Sequence, residues 1–341
     1  MKTQYKYPSL ETQKYSESER HSPQKKKNVA PPLDEEFYAE SYELRKAAST
    51  MTVAAIEWFR SNVTRLLEGS NSSLKDGTFS VLSIGSGEGD IDIEIIHSLL
   101  PRLKPRWQRL RYVALEPNPS HRDRFLERLE KASFDETVEV SVRGESFEPG
   151  RRESEEQYDL VLLVHVLYYF KDRYKTIRSA LSQTSEGGRV VIIHQAAMGI
   201  PQIQRQHLLS AKGNQNEMFT AEDIKNLLDT RSHQYQLDNV EARLDVTECL
   251  QRLEKGVKIM SFCMECDLRQ LQESKFAKIL QAFWRLAEIS DSGRAYIREP
   301  IGVFVLKAAT CASIRERNPE DKDPVVDYWQ LAQNFDWSGT F

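Results

Sequence analysis

The sequence has few cysteines, no long hydrophobic run and no excess of charge of either sign. Its four cysteines among 341 residues are too few for a scaffold built on disulfides, so reduced thiols are expected. The longest apolar runs, such as residues 160–167, are far shorter than the roughly 20 residues of a membrane helix, and the first residues lack the hydrophobic stretch of a signal peptide. Because 47 Lys+Arg nearly balance 51 Asp+Glu, no basic field attracts nucleic acid. These absences predict a soluble cytoplasmic protein with neither a nucleic-acid nor a membrane partner.

Composition divides the chain into three predicted regions. Residues 1–33 are rich in Lys, Ser, Gln and Glu and end in two prolines, so we expect a flexible leader. Residues 34–310 carry the periodic patterns of a folded domain, which opens with two helices between residues 35 and 68. Residues 311–341 form a tail with five large aromatic side chains among its last fourteen residues. We expect that tail to dock on the same domain, because it would otherwise expose an apolar patch.

Short β-branched runs alternate with helical patterns along the predicted domain. Strands are expected at residues 79–84, 112–115, 138–142, 160–166 and 190–194, and helices at residues 122–131 and 173–181. A turn is expected at Gly187-Gly188, and strands are expected again near residues 235–246 and 301–306. Strands and helices that alternate in this way imply a mainly parallel sheet with helices on both faces.

The first predicted strand ends in a turn that holds three glycines, Gly85, Gly87 and Gly89. Ligands of open α/β sheets bind outside the carboxyl ends of the strands, so this turn is the first place to look for a site. Glycines leave out side chains where a backbone turns sharply and approaches a ligand. The dinucleotide fingerprint needs a glycine at position 90, where this chain has Asp90, and is disfavoured. A tight turn without a ligand is the alternative.

Three segments carry a resemblance to a known family. They are Leu-Ser-Ile-Gly-Ser-Gly-Glu-Gly-Asp-Ile-Asp at residues 82–92, Glu116-Pro117, and residues 158–172, which begin Tyr-Asp-Leu and end His-Val-Leu-Tyr-Tyr-Phe-Lys-Asp. In these segments the chain resembles the histamine N-methyltransferase family, over about residues 38–308. The resemblance implies a monomeric, Rossmann-like class I methyltransferase: an α/β fold with a mainly parallel seven-stranded sheet, helices on both faces, and N-terminal helices that cap the substrate.

The same resemblance implies S-adenosyl-L-methionine as co-substrate and no metal. Glu116, which ends the second strand, is expected to accept hydrogen bonds from both ribose hydroxyls of the co-substrate, and an ordinary exposed carboxylate is the alternative. Ser146, after the third strand, is expected near the adenine. The full set of residues assigned to the cofactor site is Gly85, Gly87, Gly89, Glu116, His121, Ser146 and Val164.

Three positions differ from the family's substrate pocket. Where the family has a glutamate, a glutamine and an asparagine, this chain has Met51, His165 and Glu299. Methionine offers no countercharge to the ammonium group of histamine. A related branch of the family converts the dipeptide carnosine to anserine and also resembles this chain. We therefore expect an imidazole substrate, with carnosine ahead of histamine.

Methylation of an imidazole nitrogen depends mainly on positioning, since the ring is largely neutral at cytosolic pH. His165 and Glu299 are candidate partners for the substrate's second ring nitrogen. Tyr168 and Tyr169 are candidate walls for the ring and for the cation that develops on it. A core histidine, two core tyrosines and a solvated glutamate are the alternatives for these catalytic assignments.

Two other readings stay open at this stage. A methyltransferase-like module could bind protein partners without catalysis, and an aminopropyl transferase could use a related donor. The pair Cys263 and Cys266 forms a C-x-x-C without a second cysteine pair, so incidental thiols are expected there rather than a metal site.

Overall fold

The structure is a computed structural model, and it describes residues 29–68, 77–103, 109–150, 156–214 and 218–308. The chain forms two compact units. Of the described residues, those within 49–201, 218–244 and 298–308 form the sheet unit, and those within 29–48, 202–214 and 245–297 form the helical unit. The predicted leader and tail lie mostly or wholly outside the described residues, so both stay predictions.

The described residues contain ten helices and ten strands. The helices are α1 (Glu35–Ala48), α2 (Met51–Leu67), α3 (Asp90–Leu103), α4 (Pro119–Ala132), α5 (Arg173–Ser182), α6 (Ile200–Lys212), α7 (Ala221–Thr230), α8 (Thr247–Leu250), α9 (Glu254–Cys263) and α10 (Glu273–Leu286). The strands are β1 (Thr78–Ile84), β2 (Arg109–Leu115), β3 (Val138–Arg143), β4 (Tyr158–Val164), β5 (Thr184–Gln195), β6 (Tyr235–Val240), β7 (Arg243–Asp245), β8 (Glu288–Ile289), β9 (Ala295–Arg298) and β10 (Ile301–Lys307).

Seven strands form one sheet, in the order β3-β2-β1-β4-β5-β10-β6. The strands β1 to β5 pair in parallel with one another. The strand β10 runs antiparallel to both β5 and β6. The predicted mainly parallel, seven-stranded sheet is therefore confirmed. From β1 the chain moves outward to β2 on one side and later to β4 on the other, so a topological switch point lies between β1 and β4.

Helices cover both faces of this sheet. One apolar cluster joins α2, α3 and α4 to one face, and it includes the fully buried Phe59, Ile96 and Phe125. The second cluster joins α5 and α7 to the other face, through residues such as Ile177 and Ile224. Each such side chain contributes roughly 1.5–3 kcal/mol of hydrophobic stabilisation when it is fully buried. Burial on both faces explains the nearly continuous apolar runs of the central strands.

Two sequence-based boundaries in the sheet are wrong. The strand β4 ends at Val164 rather than at residue 166, because His165 takes a left-handed backbone conformation with φ of 49°. The expected turn at Gly187-Gly188 lies inside β5. A Cβ on Gly188 would lie 2.7 Å from the carbonyl oxygen of Asp159, so glycine lets β5 pass β4 closely where their register shifts.

The helical unit buries three of the four cysteines. Cys249, Cys263 and Cys266 are buried, and burial raises the pKa of Cys266 to about 12. Both cysteines of the C-x-x-C pair therefore lie in the core of this unit. No helix within the described ranges is long and apolar enough to cross a membrane.

Candidate active site

The glycine turn after β1 packs closely against its surroundings at two of its three glycines. Gly85, Gly87 and Gly89 all have positive φ, of 68°, 59° and 76°. A Cβ on Gly85 would lie 2.4 Å from Val166, and one on Gly89 would lie 2.2 Å from the ring of Phe125. A Cβ on Gly87 would meet nothing within 4 Å. The turn therefore presents bare backbone to open space at its centre, and its flanks are fixed by packing.

The carboxylate of Glu116 is held against this turn. Glu116 is only 6% exposed, so the alternative of an ordinary exposed carboxylate is wrong. Its Oε2 accepts the N–H of Gly87 at 2.8 Å, and its Oε1 accepts the N–H of Asn118 at 2.8 Å. Each oxygen can accept a second hydrogen bond. The side chain thus has acceptor capacity for two further donors, and the Nδ1 of His121 lies 3.8 Å from Oε1.

The strand β4 ends beside the topological switch point, and the backbone of the next residue, His165, is strained. Val164 and His165 are half-buried, and the N–H of His165 donates to the carbonyl of Ile193 at 2.9 Å. A left-handed conformation costs a residue other than glycine roughly 1–2 kcal/mol. Backbone strain of this kind clusters at functional sites, which makes His165 a candidate there.

Both predicted wall tyrosines are accessible. Tyr168 and Tyr169 lie in a single 3-10 turn after β4, and they are 42% and 75% exposed. Their ring centroids are 4.4 Å apart. The alternative of two core aromatics is therefore wrong for this pair. The rings are available to a ligand at the carboxyl ends of the strands.

A serine that the sequence did not single out joins two predicted substrate residues. The hydroxyl of Ser49 donates to Oε2 of Glu299 at 3.1 Å and accepts the N–H of Met51 at 3.2 Å. Glu299 is 4% exposed, so the solvated alternative is wrong. Met51 is buried in the apolar core at the start of α2. Ser49 thus links the backbone of Met51 to the carboxylate of Glu299. Their role in substrate binding stays a prediction.

The sequence analysis assigned no role to His194, which lies near the end of β5. Its ring centroid is 6.1 Å from that of His165, and its ring packs edge to face against Tyr168 and Phe219, at 5.6 Å each. His194 is fully buried, and its Nε2 has no hydrogen-bond partner among the described residues. Desolvation lowers the pKa of His194 to about 4, so the ring is neutral at neutral pH. Only the pairing of β4 with β5 places the two histidines side by side.

Ser146 is the predicted residue that the structure supports least. It is exposed on the segment that follows β3, next to the buried Phe147, whose ring packs edge to face on Phe170 at 6.2 Å. Its expected place near an adenine stays a prediction. The described ranges contain no group of three or more His, Cys, Asp or Glu side chains that could hold a metal ion.

Two buried groups beside this site make stability depend on pH with opposite signs. Burial raises the pKa of Asp92, which accepts the hydroxyl of Tyr112 at 2.7 Å, to about 6. Between about pH 6 and 4 the folded state holds a proton on Asp92 that the unfolded state has released, so acid stabilises the fold through Asp92. Over the same range the unfolded state protonates its histidine and the folded state keeps His194 neutral, so acid destabilises the fold through His194.

We expect Asp92→Asn to expose the destabilising effect of acid. One pKa unit is worth about 1.36 kcal/mol, and most of the shift of Asp92 falls between pH 6.5 and 4. The free energy of unfolding of this variant should therefore fall by about 2 kcal/mol more than that of the wild type over that range. Urea titrations at the two pH values measure the difference. Asp123→Asn, at an exposed position of α4, is the matched control. A difference between Asp92→Asn and wild type that stays constant with pH would contradict this expectation.

Comparison with known proteins identifies the fold family. A family model described as a methyltransferase domain matches residues 49–241, more than half of the chain, and this range includes the glycine turn, Glu116 and the end of β4. The chain belongs to the methyltransferase domain family. It is an S-adenosylmethionine-dependent methyltransferase, with the sheet order expected of the class I fold.

The methyltransferase is also similar to curated relatives. Histamine N-methyltransferase A of Xenopus laevis is 24% identical over 248 residues, which are 70% of this chain and 83% of that protein. Histamine N-methyltransferase of Xenopus tropicalis is 28% identical over 199 residues, 56% of this chain and 67% of that protein. The solved structure of loganic acid methyltransferase with SAH matches with a TM-score of 0.49 and 11% identity, over 83% of this chain and 99% of that chain. That structural likeness is too loose to indicate what this methyltransferase binds.

The residues at the switch point fit the methyl donor. The open space before Gly87 leaves room for a ligand against bare backbone. Glu116 lies beside that space, with unused acceptor capacity on each carboxylate oxygen. A nucleoside with two neighbouring hydroxyl donors is a chemical match for such a carboxylate.

Proposed function

We propose that the methyltransferase transfers a methyl group to a ring nitrogen of a small imidazole compound, carnosine ahead of histamine. The observation that carries this proposal is a cluster of flat rings at the ends of β4 and β5. It consists of His165, Tyr168, His194 and Phe219, beside the switch point. The similarity to histamine N-methyltransferases supports the same class of acceptor.

In this proposal the donor lies against the glycine turn. S-adenosylmethionine, when bound, supplies an electrophilic methyl group on a sulfonium sulfur. Glu116 binds its ribose hydroxyls, and His121, 3.8 Å from that carboxylate, lies beside the same subsite. Gly85, Gly87 and Gly89 supply the close backbone surface, and Val164 lies at the adjoining strand end. Ser146 is proposed on the adenine side.

The acceptor ring is oriented by two members of this cluster, His165 and Tyr168, together with the neighbouring Tyr169. Tyr168 and Tyr169 offer exposed ring faces that can stack on an imidazole and stabilise a cation that develops on it. His165 is proposed to hydrogen-bond the ring nitrogen that is not methylated, which fixes the substrate's tautomer and leaves the lone pair of the other nitrogen free. The half-buried position of His165 excludes much of the water from that contact.

Glu299 is proposed to recognise the polar part of the substrate. Its carboxylate is almost fully buried and oriented by Ser49, a setting in which it can accept a strong hydrogen bond from a cationic or N–H group. Met51 adds an apolar surface without charge. Carnosine carries its amine farther from the ring than histamine does. We propose that Glu299, rather than a side chain at position 51, meets that amine.

A methyl-transfer panel tests the proposed acceptor. Carnosine, histamine, anserine and a polyamine are incubated with the protein and S-adenosylmethionine, and methylated products are measured. Carnosine is expected to be the best substrate, followed by histamine. Donor binding without transfer to any imidazole would contradict the proposal and favour a module without catalysis. Transfer to the polyamine alone would assign another acceptor class.

We expect His165→Ala to lower the methylation rate of an imidazole substrate at least about tenfold, because tautomer selection is lost. The donor affinity, measured by calorimetry, should stay within about twofold of wild type, since the donor subsite is unchanged. Asparagine tolerates the left-handed backbone and keeps a hydrogen-bonding side chain, so His165→Asn should recover part of the rate. Equal losses of rate and donor affinity would instead assign His165 to the fold.

A further inference from the structure

The glycine turn carries one large charged side chain, and that side chain is buried. Glu88 lies between Gly87 and Gly89, and its side chain is only 5% exposed. A turn that binds a ligand through bare backbone has no evident need for a glutamate at its centre. Burial of a carboxylate is costly unless the charge is paired, so its partners indicate what it does.

The partners of Glu88 are two arginines on one face of α4. Arg124 pairs with one carboxylate oxygen, and Arg128 donates to the other at 2.9 Å. Arg128 also reaches Asp90, the first residue of α3, at 2.8 Å. The arginines are four residues apart, so both project from the same side of the helix. Two positive and two negative charges thus join the turn and the start of α3 to α4.

Packing joins the same two elements between the arginines. Phe125 lies between them in the sequence and is fully buried. A Cβ on Gly89 would lie 2.2 Å from its ring, so the bare backbone of the turn is pressed onto α4. The helix also starts just after Glu116, whose carboxylate accepts the N–H of Gly87. The turn is therefore held to this segment on both sides of Gly87.

We propose that Glu88, Arg124 and Arg128 form a positioning clamp that fixes the glycine turn in the shape that binds the methyl donor. These residues hold the backbone of Gly87 against Glu116, and they need not contact the donor themselves. The inference rests on the proposed donor subsite and not on the identity of the acceptor.

Two variants of opposite charge separate positioning from simple electrostatics. Glu88→Gln raises the local charge by one, and Arg128→Gln lowers it by one. If the clamp positions the turn, both variants should weaken S-adenosylmethionine binding about tenfold, the effect of losing one charge-assisted hydrogen bond. If charge acts through space on the cationic donor, the two variants should shift Kd in opposite directions.

S-adenosylhomocysteine gives a second, independent readout because it lacks the sulfonium charge. Calorimetry with both ligands is expected to show the same loss of affinity in each variant. Glu127→Gln, at an exposed position of α4, is the control and should bind both ligands as the wild type does. Arg124→Lys keeps a cation that can pair with Glu88 and should retain more affinity than Arg124→Gln. Arg124 is 48% exposed, so its variants test the clamp even if Glu88→Gln does not fold.

Three results would each overturn the clamp. The first is opposite shifts of Kd for Glu88→Gln and Arg128→Gln. The others are a loss of affinity for S-adenosylmethionine without one for S-adenosylhomocysteine, and unchanged affinities in folded variants. A wild type that binds neither ligand would overturn the clamp together with the donor subsite. A wild type that binds both ligands but methylates no imidazole would contradict only the proposed acceptor, because the affinities still decide the clamp.

Discussion

Replacing Glu116 by glutamine is expected to weaken S-adenosylmethionine binding about 100-fold. The carboxylate accepts two backbone N–H groups and is proposed to accept two ribose hydroxyls, and a hydrogen bond to a charged group contributes about 1.5–3 kcal/mol. In the amide, an NH2 group must face one of the two N–H donors, so the loss includes the geometry of the turn. Calorimetric Kd values for the two proteins measure the effect.

The control for this substitution is Glu139→Gln, at an exposed position of β3. It removes the same charge from the same sheet and should leave the Kd near that of wild type. The 2′-deoxy form of S-adenosylhomocysteine gives a second test from the side of the ligand. It should bind the wild type more weakly than S-adenosylhomocysteine does. To Glu116→Gln the two compounds should bind with almost the same affinity. If Glu116→Gln kept wild-type affinity, the ribose assignment would be wrong.

Replacing Gly87 or Gly89 by alanine is expected to have different effects, mainly on donor affinity at Gly87 and also on stability at Gly89. At Gly87 a Cβ meets nothing within 4 Å, so alanine should cost the fold only about 1–2 kcal/mol for its left-handed conformation. The methyl group would, however, project into the proposed donor space and lower donor affinity at least about tenfold. At Gly89 the Cβ would overlap the ring of Phe125, which adds roughly 1–3 kcal/mol of packing strain.

Thermal unfolding and calorimetry on Gly87→Ala and Gly89→Ala together test this contrast. Gly89→Ala should lose stability and donor affinity together, whereas Gly87→Ala should lose mainly affinity. Each variant is thereby the control for the other. Normal donor binding by a folded Gly87→Ala protein would show that the space before Gly87 is not where the donor lies.

Local sequence patterns predicted much of the sheet, because buried parallel strands need apolar runs and tight turns need glycine. The apolar run before Gly85 forms β1, as predicted. The pattern could not place the end of β4, since the chain leaves the strand through a backbone conformation that a histidine rarely adopts. It also predicted a turn at Gly187-Gly188, where Gly188 instead lets β5 approach β4 closely.

The site was predictable only where one segment supplies it. The glycine turn and the end of β2 are contiguous motifs, so the sequence could single out Gly87 and Glu116 as candidates. Glu88 and its arginines are 36 and 40 residues apart, and no local pattern joins them. His194 needed the pairing of β4 with β5 before its place beside His165 could be seen.

The most direct measurement is a crystal structure of the protein with S-adenosylhomocysteine. The ribose is expected beside the turn after β1, with both of its hydroxyls donating to the Glu116 carboxylate at about 2.5–3.0 Å. A nucleoside bound elsewhere, or a ribose turned away from that carboxylate, would contradict the assignment of this edge of the sheet as the donor site.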